Sequence, residues 1–284
     1  MANKPLGVVG SLGVDTHAHT FTQQLAFVAE GEGYVPDYDA TFQSYLAKLK
    51  GHGLSHGVLI QPSFLGRDNS HLLQCVASNP AALRAIVIVN PDIGEAELEA
   101  LAKRGVVGVR LILYGQHGED YASTKWRQFA ARLAAVGSLV EVYGPASGLQ
   151  AACTPFLRAG CRLLIDHFGR PDYGLGERDP GFEFLLSTLD GGQVWIDISG
   201  GYRNGPVPAG NDISVNYFEA IKQRSGLERM LWGSDWPCVQ YEATTNYGAS
   251  VRFLDRVVPD SHDRHVLLWT TPASLFGFSA ESRL

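Results

Sequence analysis

The chain has 284 residues, of which 45% are hydrophobic and 18% charged, and a formal net charge of −6 at pH 7. This composition is typical of a globular protein with a large core. The acidic balance offers no basic surface for nucleic acid or an anionic membrane, so a small molecule is the expected partner.

The cysteine pattern and the lack of targeting signals point to one compartment. Cys75, Cys153, Cys161 and Cys238 are scattered without a CxxC pair, which favours a reducing environment over a disulfide framework. No run reaches the roughly 18 apolar residues of a membrane span. Residues 1–19 lack the apolar core and cleavage site of a signal peptide. We therefore expect a cytoplasmic protein with no membrane partner, and the sequence leaves open a homo-oligomer.

Short apolar, β-branched runs alternate with helical patterns along the whole chain. Such runs are typical of parallel strands that are buried on both faces. The predicted strands are 13–19, 56–62, 83–90, 106–113, 138–144, 161–169, 194–201 and 230–237. The predicted helices between them are 40–50, 70–78, 95–105, 124–137, 148–160, 182–191 and 215–226, followed by helical segments near 243–257 and 261–276.

Eight strands with seven intervening helices predict an α/β fold: a single (β/α)8 TIM barrel domain over residues 1–284, with C-terminal helices. A doubly wound open sheet is the alternative, but evenly spaced units favour closure into a barrel. No linker-like tract divides the chain, so one domain is expected. The longest irregular stretches, 20–38 and 200–214, follow the first and seventh strands, where barrel enzymes carry substrate loops.

Polar residues gather at the carboxyl ends of the predicted strands, which form the catalytic face of such a barrel. His17 and His19 end the first strand, and at positions i and i+2 they share one face. They suit two ligands of one cation or two donors to one oxygen, and an ordinary polar strand end is the third interpretation. His167 and Asp235, at the ends of two other strands, make the purely structural interpretation less favourable.

Further polar residues occupy the same predicted rim. Arg110 lies on the fourth strand and Tyr143 on the fifth. Asp166 directly precedes His167, so in an extended strand its side chain points the other way. We therefore expect Asp166 to face a helix or to support the site without being catalytic. Arg203 lies in the loop after the seventh strand, where a lone arginine is usually solvated.

Five motifs, in order, carry a resemblance to a known family: DTHAH at 15–19, LIQPSFLGRDN at 59–69, GVVGVRL at 105–111, LIDHFGRPD at 164–172 and LWGSDWP at 231–237. The sequence resembles the amidohydrolase-2 branch of the amidohydrolase superfamily, and within it the 2-pyrone-4,6-dicarboxylate lactonase-like hydrolases. The resemblance implies a distorted barrel and an enzyme that opens a lactone ring, a carboxylic-ester type of hydrolysis found in aromatic degradation.

The resemblance also implies four catalytic residues. His17 and His19 match the family's HxH, His167 its later-strand histidine and Asp235 its last-strand aspartate. We expect Asp235 to be the general base that deprotonates water. The three histidines are expected to polarise the lactone carbonyl, directly or through a metal ion.

Substrate contacts follow from the resemblance as well. Arg110, Arg203 and Tyr143 match positions that contact the substrate, and two arginines suit an anionic lactone. Two positions depart from the pattern: Gln116 stands near the place of a second arginine after the GVR motif, and Cys238 follows SDWP where a histidine is common. Both departures leave the chemistry intact and concern the exact substrate.

The cofactor prediction has two branches. No lysine lies in any predicted strand, so the carbamylated lysine that bridges two metals is missing and a binuclear site is disfavoured. The resemblance to the pyrone lactonases, which work without a metal, implies that no metal is required. The alternative is one divalent ion, Zn²⁺ above all, held by His17, His19 and Asp235 with His167 nearby.

Three other functions compete with the carboxylated-lactone hydrolase. A zinc-dependent decarboxylase, which is a lyase of the same superfamily, uses the same kinds of residue. A sugar-lactone hydrolase shares the reaction with a different substrate. A non-catalytic ligand-binding barrel is disfavoured because the whole set of candidate groups is present.

Overall fold

We describe residues 12–28, 34–115, 118–281 and 283–284 of the protein in a computed structural model. Eight parallel strands are hydrogen-bonded in chain order. The strands β1 to β8 are Val14–Ala18, His56–Ile60, Leu83–Val87, Val106–Ile112, Leu139–Tyr143, Leu163–Ile165, Val194–Asp197 and Met230–Leu231. The helices α1 to α10 are Phe42–His52, Ser70–Ser78, Glu95–Lys103, Thr124–Ala135, Ala146–Ala159, Pro180–Thr188, Gly210–Ser225, Tyr247–Val257, Ser261–His265 and Thr271–Phe276.

The sheet closes on itself between its first and last strands. The amide of Thr16 donates to the carbonyl of Trp232 at 3.2 Å, and the amide of His19 donates to that of Trp236 at 2.8 Å. A parallel bridge joins Ala18 to Trp236. The predicted (β/α)8 barrel with C-terminal helices is therefore confirmed. It is distorted, because the register shifts between β1 and β2 and between β3 and β4.

Local sequence explains where several helices begin and end. The Thr41 hydroxyl accepts a hydrogen bond from the amide of Ser44 and caps α1, while Asp179 caps α6 by accepting from two amides of its first turn. Gly53, with φ of 73°, ends α1 in the left-handed conformation that glycine adopts without a side-chain clash. Among the described residues, no helix is both long and apolar enough to cross a membrane.

The amino end of the barrel is filled by apolar side chains, which leaves the carboxyl end to polar ones. Inward-facing residues of the strands pack there against the segment that ends the chain, so α10 and Phe278 cover this end. One layer nearer the carboxyl end, the inward positions become charged. The apolar plug contains Val14, Val58, Ile60, Ile86, Leu139, Leu164, Leu231, Leu275, Phe276 and Phe278.

Candidate active site

The four residues predicted to be catalytic meet in one buried cluster at the carboxyl end of the barrel. The ring of His17 lies 5.0 Å from those of His19 and His167, centroid to centroid. Oδ1 of Asp235 lies 4.0 Å from Nε2 of His17 and 3.9 Å from Nε2 of His19. The barrel thus assembles one site from three distant segments of the chain.

Hydrogen bonds orient the two histidines of the HxH motif. Nδ1 of His19 lies 2.8 Å from the carbonyl oxygen of Ile60, which can only accept, so the ring proton is on Nδ1 and Nε2 carries a lone pair. Nδ1 of His17 lies 2.9 Å from Oδ2 of Asp197. Both Nε2 atoms therefore face the same oxygen of Asp235, with the opposite side of each ring tied to an acceptor.

The third histidine is tied to the same carboxylate through a serine. The Ser199 hydroxyl donates to Oδ2 of Asp197 at 2.7 Å, so its oxygen accepts from Nδ1 of His167 at 2.8 Å. The proton of His167 then sits on Nδ1, and Nε2 is the acceptor. Asp197 is thus the common support of His17 and His167. Sequence reasoning missed Asp197 and Ser199, although both lie within the predicted seventh strand, 194–201, and Asp197 ends the observed β7.

The charge state of the histidines differs. Burial lowers the pKa of His19 and His167 well below the usual value, so both are neutral. Burial also lowers the pKa of His17, but Asp166 and Asp197 outweigh it and raise that pKa above its ordinary value. His17 is therefore the one member of the trio that the site favours as a protonated donor.

Asp235 is held by two donors on one of its oxygens. Nε of Arg203 donates to Oδ2 at 2.6 Å, and the Tyr202 hydroxyl donates to it at 2.5 Å. Burial would raise the pKa of Asp235, but Arg203, His167 and His17 outweigh it and hold the pKa well below its ordinary range. Oδ1 has no hydrogen-bond partner among the described residues. Asp235 is thus a carboxylate with one oxygen free to act in the cluster.

The structure gives Arg203 and Tyr202 contacts that the sequence does not reveal. A lone loop arginine is usually solvated, yet Arg203 is only 8% exposed because its guanidinium donates to both Asp235 and the carbonyl of Val239. Tyr202 was not singled out at all. Its position beside Arg203 in SGGYRNGP was the only sequence signal, and that signal does not reveal a contact with a residue 33 positions later.

The backbone around the cluster is locally strained. His167 and Asp235 have φ of 50° and 56°, in the left-handed region that residues with a side chain seldom adopt. Gly200 also lies there, at φ 57°, and a Cβ on it would be 2.8 Å from Nδ1 of His167 and 2.9 Å from Oδ2 of Asp235. Only glycine fits where these two side chains approach the end of β7.

Arg110 lies in the pocket wall between two carboxylates. Its Nε is 3.0 Å from Oε1 of Glu141, its Nη2 donates to Oδ2 of Asp166 at 2.8 Å, and its Nη1 donates to the carbonyl of Gln61 at 3.2 Å. Burial, together with Glu141, raises the pKa of Asp166. All three guanidinium nitrogens of Arg110 therefore already contact oxygens of the protein.

The direction predicted for Asp166 was wrong. Its side chain points into the barrel, where Oδ1 lies 3.7 Å from Nδ1 of His17. Asp166 keeps the inward alternation of Leu164, while the strand ends at Ile165 and the left-handed backbone of His167 turns the histidine to the same side. A supporting role for Asp166 agrees with these contacts.

A pocket of about 640 Å³ opens above the cluster. Tyr143 stands in its wall, with its ring edge-on to His167 at 5.5 Å and the guanidinium carbon of Arg110 at 4.9 Å from its ring centre. Tyr34 lies at the mouth and donates to Glu242 at 2.8 Å. The pocket is lined by His19, Tyr34, Pro62, Ser63, Phe64, Arg110, Ile112, Tyr114, Tyr143, His167, Arg203, Asp235, Val239 and Gln240.

Of the two positions that depart from the family pattern, the structure describes only Cys238. Gln116 lies outside the described residues. Cys238 is fully buried, and burial raises the pKa of its thiol to about 12, so the thiol stays neutral beside the site.

The donor geometry fits one divalent cation. The ligand atoms of His17, His19 and Asp235 lie within 4.8 Å of one another. Tetrahedral zinc with bonds of ~2.1 Å separates its ligands by ~3.4 Å, so distances of 3.9 and 4.0 Å need only small side-chain shifts. A second group, His17 with Asp166 and His167, fits less well because Asp166 is already paired with Arg110.

Comparison with known proteins agrees with the geometry. A 4-sulfomuconolactone hydrolase of Rhizobium radiobacter is 31% identical over 93% of this chain and 89% of its own length. A 2-pyrone-4,6-dicarboxylate hydrolase of Comamonas testosteroni is 27% identical over 96% of this chain and 93% of its own length. A crystal structure of a probable 2-pyrone-4,6-dicarboxylic acid hydrolase from Acinetobacter baumannii, with citric acid bound, superposes with a TM-score of 0.89. The two chains are 35% identical, and the match covers 94% of this chain and 99% of the other. Residues 14–278 match the Amidohydro_2 family, and the chain belongs to this amidohydrolase family.

Proposed function

We propose that the protein is a hydrolase that opens the lactone ring of a small anionic molecule. The observation that carries the proposal is the convergence of Asp235, with one free oxygen, and three oriented histidines at the floor of a pocket walled by Arg110 and Arg203. Relatives of similar length are named as hydrolases of 4-sulfomuconolactone and of 2-pyrone-4,6-dicarboxylate, which are acidic lactones.

The reaction adds water across the ring ester bond. Oδ1 of Asp235 takes a proton from water, whose oxygen attacks the lactone carbonyl carbon. His17, the histidine that the site favours as protonated, donates from Nε2 to the carbonyl oxygen as charge develops there. The ring C–O bond then breaks, and the proton on Asp235 passes to the leaving oxygen. The product carries a hydroxyl or enol and a new carboxylic acid, which releases its proton to solvent and becomes a carboxylate.

The neutral histidines have a different part. Because Nε2 of His19 carries a lone pair, it accepts one hydrogen bond from the attacking water, whose other proton is donated to Oδ1 of Asp235. Nε2 of His167 is likewise an acceptor, but this water has no third proton to donate to it. Nε2 of His19 lies 3.9 Å from Oδ1 of Asp235, a separation that one water oxygen can bridge. The water is then held by two acceptors, and its lone pair points away from both towards the substrate.

The pair between Arg203 and Asp235 makes the base weak until the substrate arrives. A carboxylate with a strongly lowered pKa has little affinity for a proton. A substrate carboxylate that binds Arg203 competes for the same guanidinium charge and adds a negative charge near Asp235. Both effects raise the pKa of Asp235, so binding of an anionic substrate activates its own base.

A divalent cation at His17, His19 and Asp235 would polarise the carbonyl and lower the pKa of bound water towards ~7. The lone pair on Nε2 of His19 is what such an ion requires, and His17 would have to lose its Nε2 proton to bind the ion. That no metal is required remains the prediction from the sequence. Metal analysis of the purified protein, with turnover measured before and after chelation, distinguishes the two branches.

The carboxylated-lactone assignment has a direct test. Wild-type protein is assayed with 2-pyrone-4,6-dicarboxylate, a sulfonated muconolactone and a sugar lactone, with carbon dioxide measured in parallel. We expect ring opening of an acidic lactone without carbon dioxide release. Release of carbon dioxide from an aromatic acid would identify the decarboxylase, preference for the sugar lactone would change the substrate class, and no turnover of any compound would overturn the proposal.

We propose a cytoplasmic location as well, which the four buried cysteines support because none forms a disulfide among the described residues. A homo-oligomer remains a prediction, which sedimentation velocity tests.

A further inference from the structure

A second cavity of about 820 Å³ lies beside the candidate site, between the segments that follow β2, β3 and β4. The two cavities share four wall residues: Ser63, Arg110, Ile112 and Tyr114. We refer to the second cavity as the side pocket. Arg110 separates it from the catalytic cluster, so a molecule bound over Asp235 can extend a substituent past Ile112 and Tyr114 into it.

The side pocket is lined by positive charge. Its described lining includes Arg67, Arg110 and Lys125 and no acidic residue. Arg110 is already balanced by its two carboxylates, and Lys125 lies 3.2 Å from Glu119. Arg67 forms no ion pair with a described residue. Its guanidinium is therefore the lining charge that is available to a ligand.

The backbone that carries Arg67 is held in place from both sides. Nε2 of the buried Gln61 donates to the carbonyls of Gly66 and Asp68, at 3.1 and 2.9 Å. Nδ2 of Asn69 donates to the carbonyl of Arg67 at 3.0 Å and to that of Ile88 at 2.9 Å. Three of these hydrogen bonds fix the segment to the residues that follow β2 and β3, and the fourth holds its own turn, so only the Arg67 side chain has to be ordered when a ligand binds.

We propose that the side pocket is a subsite for an acidic substituent of the substrate, a carboxylate or sulfonate, with Arg67 as the residue that determines specificity for it. The inference rests on the proposed lactone hydrolysis and deepens it, since it assigns the substrate a second anionic group besides the one at Arg203. A guanidinium matches the oxygens of either anion with two parallel N–H donors. Ile88 and Trp126 supply an apolar wall for the edge of the ring that carries this charge.

Two pairs of ligands test the subsite. The first pair is 2-pyrone-4,6-dicarboxylate and 2-pyrone-6-carboxylate, which share the ring and differ by one charge. In Arg67→Met, we expect KM for the dianion to rise about 3- to 10-fold, since exposed charge pairs contribute modestly. KM for the monoanion and both kcat values stay near wild type, and Arg67→Lys recovers part of the loss. Equal effects on both lactones, or no effect, would overturn the subsite.

The second pair needs no turnover. Isophthalate and benzoate carry two and one carboxylates on a ring that cannot be hydrolysed, and calorimetry measures their binding. We expect wild-type protein to bind isophthalate more tightly, and Arg67→Met to weaken isophthalate alone. Arg104→Met, the same change at the exposed end of α3, is the matched control and should leave binding unchanged. If isophthalate binds no better than benzoate, the subsite is refuted even if the protein hydrolyses lactones. If the protein binds isophthalate selectively but hydrolyses no lactone, only the proposed function is refuted.

Discussion

The hydroxyl of Tyr202 should position the base, and Tyr202→Phe removes that hydroxyl alone. The ring keeps its contacts, because it packs against Tyr241 at 5.0 Å and lies 5.3 Å from the guanidinium carbon of Arg203. What is lost is one hydrogen bond of 2.5 Å to Oδ2 of Asp235. Bonds to charged groups are worth about 1.5–3 kcal/mol, so the carboxylate is clearly less stabilised in the variant.

Two consequences of this loss oppose each other. Loss of this donor raises the pKa of Asp235, which makes the carboxylate a stronger base. It stays ionised at pH 7, since Arg203 still holds it. Against this, Oδ1 is no longer fixed by two donors on the other oxygen, and misplacement of a reacting group by about 1 Å costs roughly 10²-fold. The loss of position exceeds the gain in basicity, so we expect kcat to fall about 10-fold.

Steady-state kinetics with an acidic lactone measure this effect. KM should change little, because the hydroxyl is bonded to Asp235 and does not line the pocket. Tyr241→Phe removes a hydroxyl from the same aromatic stack without touching Asp235, so it should keep the wild-type kcat. A Tyr202→Phe enzyme with wild-type kcat, or with a raised KM alone, would refute the positioning role.

Three further outcomes are expected. Asp235→Asn should lower kcat by roughly 10²–10⁴ with the fold intact by circular dichroism, as for loss of a general base; near-normal turnover would identify another base. Burial raises the pKa of Asp15 from 3.8 to about 6, so its contribution to the unfolding free energy is largest below pH 3.8 and is lost as pH rises through 6. Asp15→Asn should therefore gain about 3 kcal/mol relative to wild type between pH 3.5 and 7 in urea unfolding, and a constant difference would contradict this. Glu242→Gln should loosen the loop that Tyr34 and Tyr38 tie to it, with faster amide exchange over residues 34–39 and a KM raised a few-fold; unchanged exchange would show that the charge is not needed.

The sequence was sufficient for the barrel and for the outline of the site. Buried parallel strands need apolar residues on both faces, and eight such runs leave a pattern that is visible without coordinates. The carboxyl ends of parallel strands meet on one rim, which is why His17, His19, His167 and Asp235 could be placed together before any contact was known.

Strand ends and side-chain directions were beyond the sequence. The predicted sixth and eighth strands, 161–169 and 230–237, are only Leu163–Ile165 and Met230–Leu231 in the structure. The remaining residues leave the sheet through left-handed backbone at His167 and Asp235, which local preference disfavours and tertiary contacts impose. The direction of Asp166 was wrong for this reason.

What the sequence determined by itself, then, is the periodicity that builds the barrel and the set of chemical groups on its rim. The tertiary structure alone decided which groups pair: Arg203 with Asp235, Tyr202 with the same oxygen, and Asp197 with two histidines. Proton positions and pKa values depend on these contacts and on burial, and both arise between segments that only the folded barrel brings within a few ångströms.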